Sequence, residues 1–263
     1  MSSDVFFEQL GRFQSSRPND YPSWEMAATR GPAVLRVPVN TKGRDFFVGD
    51  LHGMYLMLEE RLDMLGFDPK VDRLFSVGDL IDRGPDNIKV LDYLDKPWFF
   101  AVLGNHDHMM LDAETDDFAR NIWMNYNGGE WARFADVQQL RSLRVKLEAM
   151  PYVIEIEQPN GGVVGIVHAE VPIGLSWHDF TERLDAERAG RLPKVAIRSA
   201  TWGRERFWEK TELPVIEGVD TVISGHTIVD GVRRSGNVFY IDTGACKAFG
   251  VMTIKTLDKL KST

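Results

Sequence analysis

The sequence predicts one α/β domain made of two packed, mixed β-sheets flanked by helices, with a helical cap segment beside them. Three observations lead there. From Arg44 onward, apolar runs of strand length end in turns that contain Gly-Asp, Gly-Asn or His. The early turns open into helical patterns. Strand-like runs crowd the second half of the chain, as helices do the first.

Residues 1–43 read as an N-terminal extension, in which Pro18, Pro22, Pro32 and Pro38 leave room only for short elements such as a helix over 5–13. Residues 44–263 read as the main domain. A strand over 45–48 leads into Gly49-Asp50-Leu51-His52-Gly53, after which Leu56, Leu58, Leu62 and Leu65 repeat at helical spacing. The run 74–77 leads into Gly78-Asp79-Leu80-Ile81-Asp82-Arg83-Gly84. Pro85 then opens a helix through Leu94, where its missing N–H is harmless. The run 99–103 leads into Gly104-Asn105-His106-Asp107, and 108–150 reads as the helical cap, broken at Asn127-Gly128-Gly129.

Two β-like runs follow, 152–156 and 163–167, the second ending at His168. A mixed helical segment covers 179–209. The run 220–223 ends at Ser224-Gly225-His226-Thr227, and strands over 236–241 and 249–255 are expected to close a second sheet.

Bulk properties exclude several function classes. A net charge of −8 argues against a protein that coats nucleic acid or anionic membrane, so neither is expected as a partner. The lone Cys246 can form no intramolecular disulfide and no thiolate cluster for structural zinc, which fits a reducing, cytoplasmic setting. The first thirty residues lack the basic start and apolar stretch of a secretory signal, and no run reaches the roughly 20 apolar residues that span a bilayer.

In α/β sheets, ligands bind beyond the carboxyl ends of strands, where short loops gather side chains from distant positions. Five loops here deliver Asp50, His52, Asp79, Asn105, His168 and His226 to that edge. All are oxygen or imidazole donors, and together they could hold two divalent cations with one carboxylate bridging. Each loop alone is an ordinary turn. Their co-occurrence, using three of the six histidines with His106 as a fourth, makes coincidence a poor explanation.

These residues carry a resemblance. The chain resembles metallophosphoesterases of the phosphoprotein phosphatase type, whose signatures are Gly-Asp-x-His-Gly, Gly-Asp-x-x-Asp-Arg-Gly and Gly-Asn-His-Glu. They stand at residues 49–53, 78–84 and 104–107, with Asp107 in place of the usual Glu. Residues 98–107, 127–131, 202–206 and 240–245 resemble the bacteriophage lambda-type serine/threonine phosphatase and its bacterial relatives. The resemblance runs from Arg44 to the C-terminus and implies a calcineurin-like metallophosphoesterase fold for residues 44–263.

It also implies roles. Asp50 and His52 would bind one metal, Asn105, His168 and His226 the other, and Asp79 would bridge the two. A bridging hydroxide would attack phosphorus directly, so Cys246 is not needed as a nucleophile. Mn²⁺ is the expected metal, with iron or zinc as alternatives. Arg83 and Arg204 would clamp the phosphate through paired guanidinium donors, with Arg206 as the substitute for Arg204. His106 would protonate the departing oxygen, and Asp82 would hold it charged.

The implied activity is hydrolysis of phosphoserine and phosphothreonine in proteins or peptides, extending to phosphotyrosine and phosphohistidine. One alternative is a symmetrical dinucleoside polyphosphate hydrolase, a relative whose second motif has a non-acidic residue where Asp82 stands. Another is a catalytically silent phosphoprotein-binding module. Asp242-Thr243-Gly244 reads as a turn beneath the site, the seven tryptophans as packing, and Lys255, Lys259 and Lys261 as a solvated end.

Overall fold

A computed structural model describes residues 31–209, 211 and 213–263. The helix expected over 5–13 lies outside them. Among the described residues, ten strands form two sheets. The six-stranded sheet has the order β1-β5-β6-β7-β9-β8, with β1 Val34–Val37, β5 Val153–Glu157, β6 Val163–Val167, β7 Thr221–Ser224, β8 Arg233–Ser235 and β9 Val238–Tyr240. The four-stranded sheet has the order β10-β2-β3-β4, with β2 Asp45–Val48, β3 Arg73–Ser76, β4 Phe99–Ala101 and β10 Ile254–Thr256.

Both sheets are mixed. β2, β3 and β4 run parallel, as do β6, β7 and β9, while β10 is antiparallel to β2 and β6 to β5. β1 belongs to the stretch read as an extension, yet it pairs parallel with β5, Val34 opposite Val153.

Alternation along each strand divides the apolar residues between two cores. Phe47, Phe75, Ile154, Ile166, Ile223 and Phe239 fill the space between the sheets. Their neighbours Phe46, Leu74, Val153, Val167, Val222 and Val238 face the helical layers. Both faces are therefore buried, which is why these strands read as continuous apolar runs. Phe47, Phe75 and Phe100 stack across β2, β3 and β4 with ring centroids 5.8 and 4.9 Å apart.

Helices α1 Tyr55–Met64, α2 Val90–Leu94, α3 Asn105–Asp112, α4 Asp117–Tyr126 and α5 Val137–Ala149 follow the four-stranded sheet. Helices α6 Trp177–Arg188, α7 Val195–Trp202, α8 Glu205–Trp208 and α9 Leu257–Lys261 accompany the later strands. Asp116, Asp136 and Ser176 cap α4, α5 and α6 by accepting backbone N–H bonds, which satisfies donors that an open helix end leaves bare. None of the helices formed by the described residues is long and apolar enough to cross a membrane.

Several expectations need correction. α1 buries Tyr55, Leu58 and Leu62; Leu56 is 58% exposed because two residues before Leu58 it points to the opposite side, and Leu65 is 38% exposed just past the end of the helix. After Pro85 the chain makes a 3₁₀ turn, Asn87–Lys89, before α2, rather than one helix. The last two expected strands join different sheets: β9 pairs with β7, and β10 crosses over to β2. Apolar runs report burial but not the pairing partner. β8 was missed because it is polar and largely exposed.

Candidate active site

Every predicted metal donor lies beyond the carboxyl end of a strand. Asp50 and His52 follow β2, Asp79 follows β3, Asn105 begins α3 after β4, His168 follows β6, and His226 follows β7. The backbone there is strained. His52, Asp79, Asp82, Arg83 and His226 are the five non-glycine residues with positive φ among the described residues, at 43°, 47°, 76°, 67° and 65°. Such conformations cost about 1–3 kcal/mol each and persist only where the surroundings over-determine them.

Glycine admits the close approaches. A Cβ on Gly104 would stand 2.2 Å from an Asp79 carboxylate oxygen, and one on Gly225 would stand 2.1 Å from Asp50. Backbone bonds knit the loops together: Leu51 and His52 N–H donate to the Asp79 carbonyl, and His226 N–H donates to the Asp50 carboxylate at 3.1 Å. Asp107 accepts from Leu80 N and Gly104 N, both at 2.9 Å. The residue that departs from the Glu of the signature thus ties the second and third motifs together.

The donors gather into two overlapping groups, His52–Asp79–His106 and Asp79–His168–His226, with ligand atoms in each within 4.8 Å of one another. Asp79 belongs to both. Asn105 Oδ1 joins the second group, 2.9 Å from His168 Nε2 and 2.8 Å from His226 Nδ1. Asp50 stands beside His226, buried to 2% exposure.

Protonation follows from the partners. His168 Nδ1 lies 2.8 Å from the Val77 carbonyl and His52 Nδ1 lies 3.0 Å from that of Ile81. A carbonyl only accepts, so both Nδ1 atoms carry hydrogen and donate. Burial lowers both histidines, His52 to about 3, and pushes His226 down to about 2, so at neutral pH each is uncharged. In His52 and His168, Nε2 therefore presents a lone pair to Asp79, at 3.5 and 3.4 Å. Burial opposes ionisation of Asp79, but the charge that the surrounding imidazoles take on in acid, His168 foremost, holds it below the usual carboxylate range. Asp50 moves the other way, raised by burial and then by Asp242 and Asp79. Asp242, read as a turn residue, does accept from Gly244 N, yet burial and then the nearby Asp79 charge raise it to about 6, against the lowering bonds from Gly244 N and Asp50.

Beside this group His106 Nδ1 donates to Asp82 Oδ2 at 2.8 Å. Arg83 reaches across the mouth, Nη1 donating to His52 Nε2 and Nη2 to His106 Nε2, both at 2.8 Å. Two partners of Asp82 escaped the sequence reading: Trp123 Nε1 donates to Oδ2 at 2.8 Å and Trp131 Nε1 to Oδ1 at 2.7 Å. Trp131 stands in the matched segment 127–131, and that match was the only available signal.

Arg204 is exposed beside Trp202, whose ring packs edge-on against His226 with centroids 6.1 Å apart. It lines a cleft of about 1020 Å³ with Trp202, Arg198 and Glu170. Glu170 accepts from Glu205 N and Arg206 N at 3.1 and 2.8 Å, which holds the turn that carries Arg204. Arg206, the substitute clamp, is buried with its guanidinium on the Val171 and Pro214 carbonyls. Its donors hold backbone, leaving Arg204 as the residue on the open side.

Comparison with known proteins identifies the family. Residues 46–230 match the calcineurin-like phosphoesterase family. The chain belongs to this family. Serine/threonine-protein phosphatase 2 of Salmonella typhimurium is 39% identical over 204 residues, covering 75% of this chain and 86% of that one. A symmetrical bis(5'-nucleosyl)-tetraphosphatase of Nitrosospira multiformis is 46% identical over 72 residues, 26% of each chain. A protein serine/threonine phosphatase of Saccharomyces cerevisiae superposes with a TM-score of 0.56 at 16% identity, covering 92% of this chain and 84% of that one, a likeness of fold.

A phosphoesterase of this family with two such clusters implies divalent metals, and the donor set of this structure fits them. Lone pairs of His52 and His168, the Asn105 oxygen and the Asp79 carboxylate converge from several sides with no thiolate among them. Four carboxylates, Asp50, Asp79, Asp107 and Asp242, crowd the same buried region, and burial with mutual repulsion raises Asp107 to about 7. Divalent charge reverses that penalty.

Proposed function

We propose that this phosphoesterase removes phosphate from phosphoserine and phosphothreonine in proteins, extending to phosphotyrosine and phosphohistidine. In this reading Asp50 and His52 hold one cation, Asn105, His168 and His226 the other, with Asp79 shared and Mn²⁺ as the metal. When bound, the cations supply Lewis acidity and ionise a water at neutral pH. Support comes from the three signature loops, from the bacterial phosphatase that the chain matches over most of its length, and from the donor geometry.

The observation that carries the substrate assignment is the buried Asp82–His106 pair at 2.8 Å with Arg83 beside it. Serine and threonine leave as alkoxides, poor leaving groups that need a proton. Asp82 accepts the hydrogen bond from His106 Nδ1–H and so leaves Nε2 as the nitrogen to face the departing oxygen. Burial opposes charge on His106, but Asp79 and Asp82 raise it above the usual histidine range. Arg83 donates to the same Nε2; once its guanidinium engages the phosphate oxygens, that nitrogen is free to carry a proton. Arg204, exposed beside the Trp202 that packs on His226, would supply the second guanidinium.

A second reading, symmetrical dinucleoside tetraphosphate hydrolysis, has the shorter match, 46% identity over 72 residues, in its favour. The Mn²⁺-loaded protein is expected to show higher kcat/KM on a phosphoserine peptide than on diadenosine tetraphosphate. A dinucleotide preference above about tenfold would overturn the assignment, and rates at background on both substrates would favour a silent binding module.

A further inference from the structure

We propose that Trp123 and Trp131 are positioning residues for leaving-group expulsion: their indole N–H groups fix both carboxylate oxygens of Asp82, and Asp82 orients His106. This inference rests on the reading of His106 as the proton donor and adds the device that aims it.

The geometry is specific. Asp82 is completely buried, and its carboxylate accepts three N–H bonds: Trp131 Nε1 on Oδ1 at 2.7 Å, and Trp123 Nε1 and His106 Nδ1 on Oδ2, both at 2.8 Å. Every one of these partners is a donor. A protonated carboxyl would need an acceptor there, so the arrangement suits the ionised form although burial alone raises Asp82 above the usual range. Charge-assisted bonds of this kind are short and directional, and they leave the carboxylate no freedom to rotate. His106 inherits that fixity through Nδ1.

The tryptophans come from the cap, not from the sheets. Trp123 lies on α4 and Trp131 on the 3₁₀ turn Gly129–Arg133, with the two rings edge to face at 6.3 Å. The turn between them is locked to the second motif, because Arg83 N–H donates to the Gly128 carbonyl at 3.3 Å. Gly128 has φ 85°, and a Cβ there would stand 2.8 Å from Arg83 N; a Cβ on Gly129 would stand 2.5 Å from the Trp123 ring. Asp82 and Arg83 both hold positive φ, so the cap is the structure that over-determines this strained dipeptide. The cap thereby acts on the leaving-group side of the reaction while contributing no metal donor.

Phenylalanine keeps an aromatic ring and removes the N–H, so Trp131→Phe and Trp123→Phe are the variants to test in the full chain with Mn²⁺. Trp131 is only half-buried, which makes its variant the gentler on folding. The ratio of the rate on a phosphoserine peptide to that on p-nitrophenyl phosphate is expected to fall at least tenfold in each. Added to Asp82→Asn, Trp131→Phe is expected to have little further effect, since the residues act as one chain. Equal loss on both substrates, or effects that simply multiply with Asp82→Asn, would overturn the proposal.

Proton NMR supplies a readout apart from activity. The two indole N–H resonances are expected far downfield in the wild type and displaced upfield in Asp82→Asn; unmoved signals would overturn the proposal as well. If the wild type ignores the phosphoserine peptide, the substrate assignment fails instead, and the ratio of phenyl phosphate to p-nitrophenyl phosphate tests the tryptophans unchanged.

Discussion

At the amino ends of β2 and β3, carboxylates meet guanidinium groups; at the carboxyl ends of the same strands they meet imidazoles and each other. Asp45 receives a two-pronged bond from Arg73 at 2.8 and 2.7 Å, and Asp72 receives Arg44 through Nη2 at 2.6 Å and through its backbone N–H at 2.7 Å. Charge at that end is balanced within the chain. At the other end, the imidazoles of His52, His168 and His226 are uncharged, Arg83 reaches across the mouth onto His52 and His106, and Arg204 is exposed beside Trp202. Buried charge of one sign is unfavourable unless something compensates it. The difference separates acids that are neutralised inside the chain from a buried group of acids suited to a divalent cation.

The sharpest way to break this contrast is Asp79→Asn, because Asp79 belongs to both donor groups. It is expected to abolish binding of both cations and lower kcat by at least about 10³-fold, roughly 4 kcal/mol, measured by metal analysis beside steady-state rates. Retention of two equivalents of metal would dissolve the distinction between the ends. A smaller effect is expected of His106→Asn, which should keep both metals and lose about 10²- to 10³-fold on the phosphoserine peptide, with less loss on p-nitrophenyl phosphate. An unchanged peptide rate would remove His106 from the mechanism.

Asp72→Asn probes the balanced end and is expected to be the mildest. Asp72 is held below the usual carboxylate range: burial pushes it up, but bonds from Arg44 and Asp68 outweigh that. A depressed folded-state value contributes stability above the unfolded value of about 3.9, and that stability is lost as pH falls through the folded value. Because Arg44 is half exposed and screened by water, the cost at neutral pH is about 1 kcal/mol, with kcat unchanged. Urea unfolding at pH 7 and near pH 3 checks the sign: the gap between variant and wild type should close in acid, and a gap that widened would contradict it.

Much of the site was legible because its loops are local. Gly49 to Gly53 and Gly78 to Gly84 each carry their glycines, their donors and their strand within a dozen residues, so the motif and the chemistry are read together. His168 and His226 were legible only as histidines after apolar runs. Trp123 and Trp131 offered less, since an indole in a core and an indole on a carboxylate have the same local sequence. Arg206 misled for a related reason: next to Arg204 in the same matched segment, it turns inward onto backbone carbonyls while Arg204 stays outside.

By itself the sequence determined the α/β class, the strand-turn-helix rhythm and which residues stand as candidate donors, because periodicity and turn chemistry act over a few residues. Tertiary structure decided the rest: that β10 crosses to β2, that His168 reaches the Val77 carbonyl of the other sheet, and that two cap tryptophans close on Asp82. Those choices depend on which distant surfaces pack together, and packing energy is shared among residues that no short window contains.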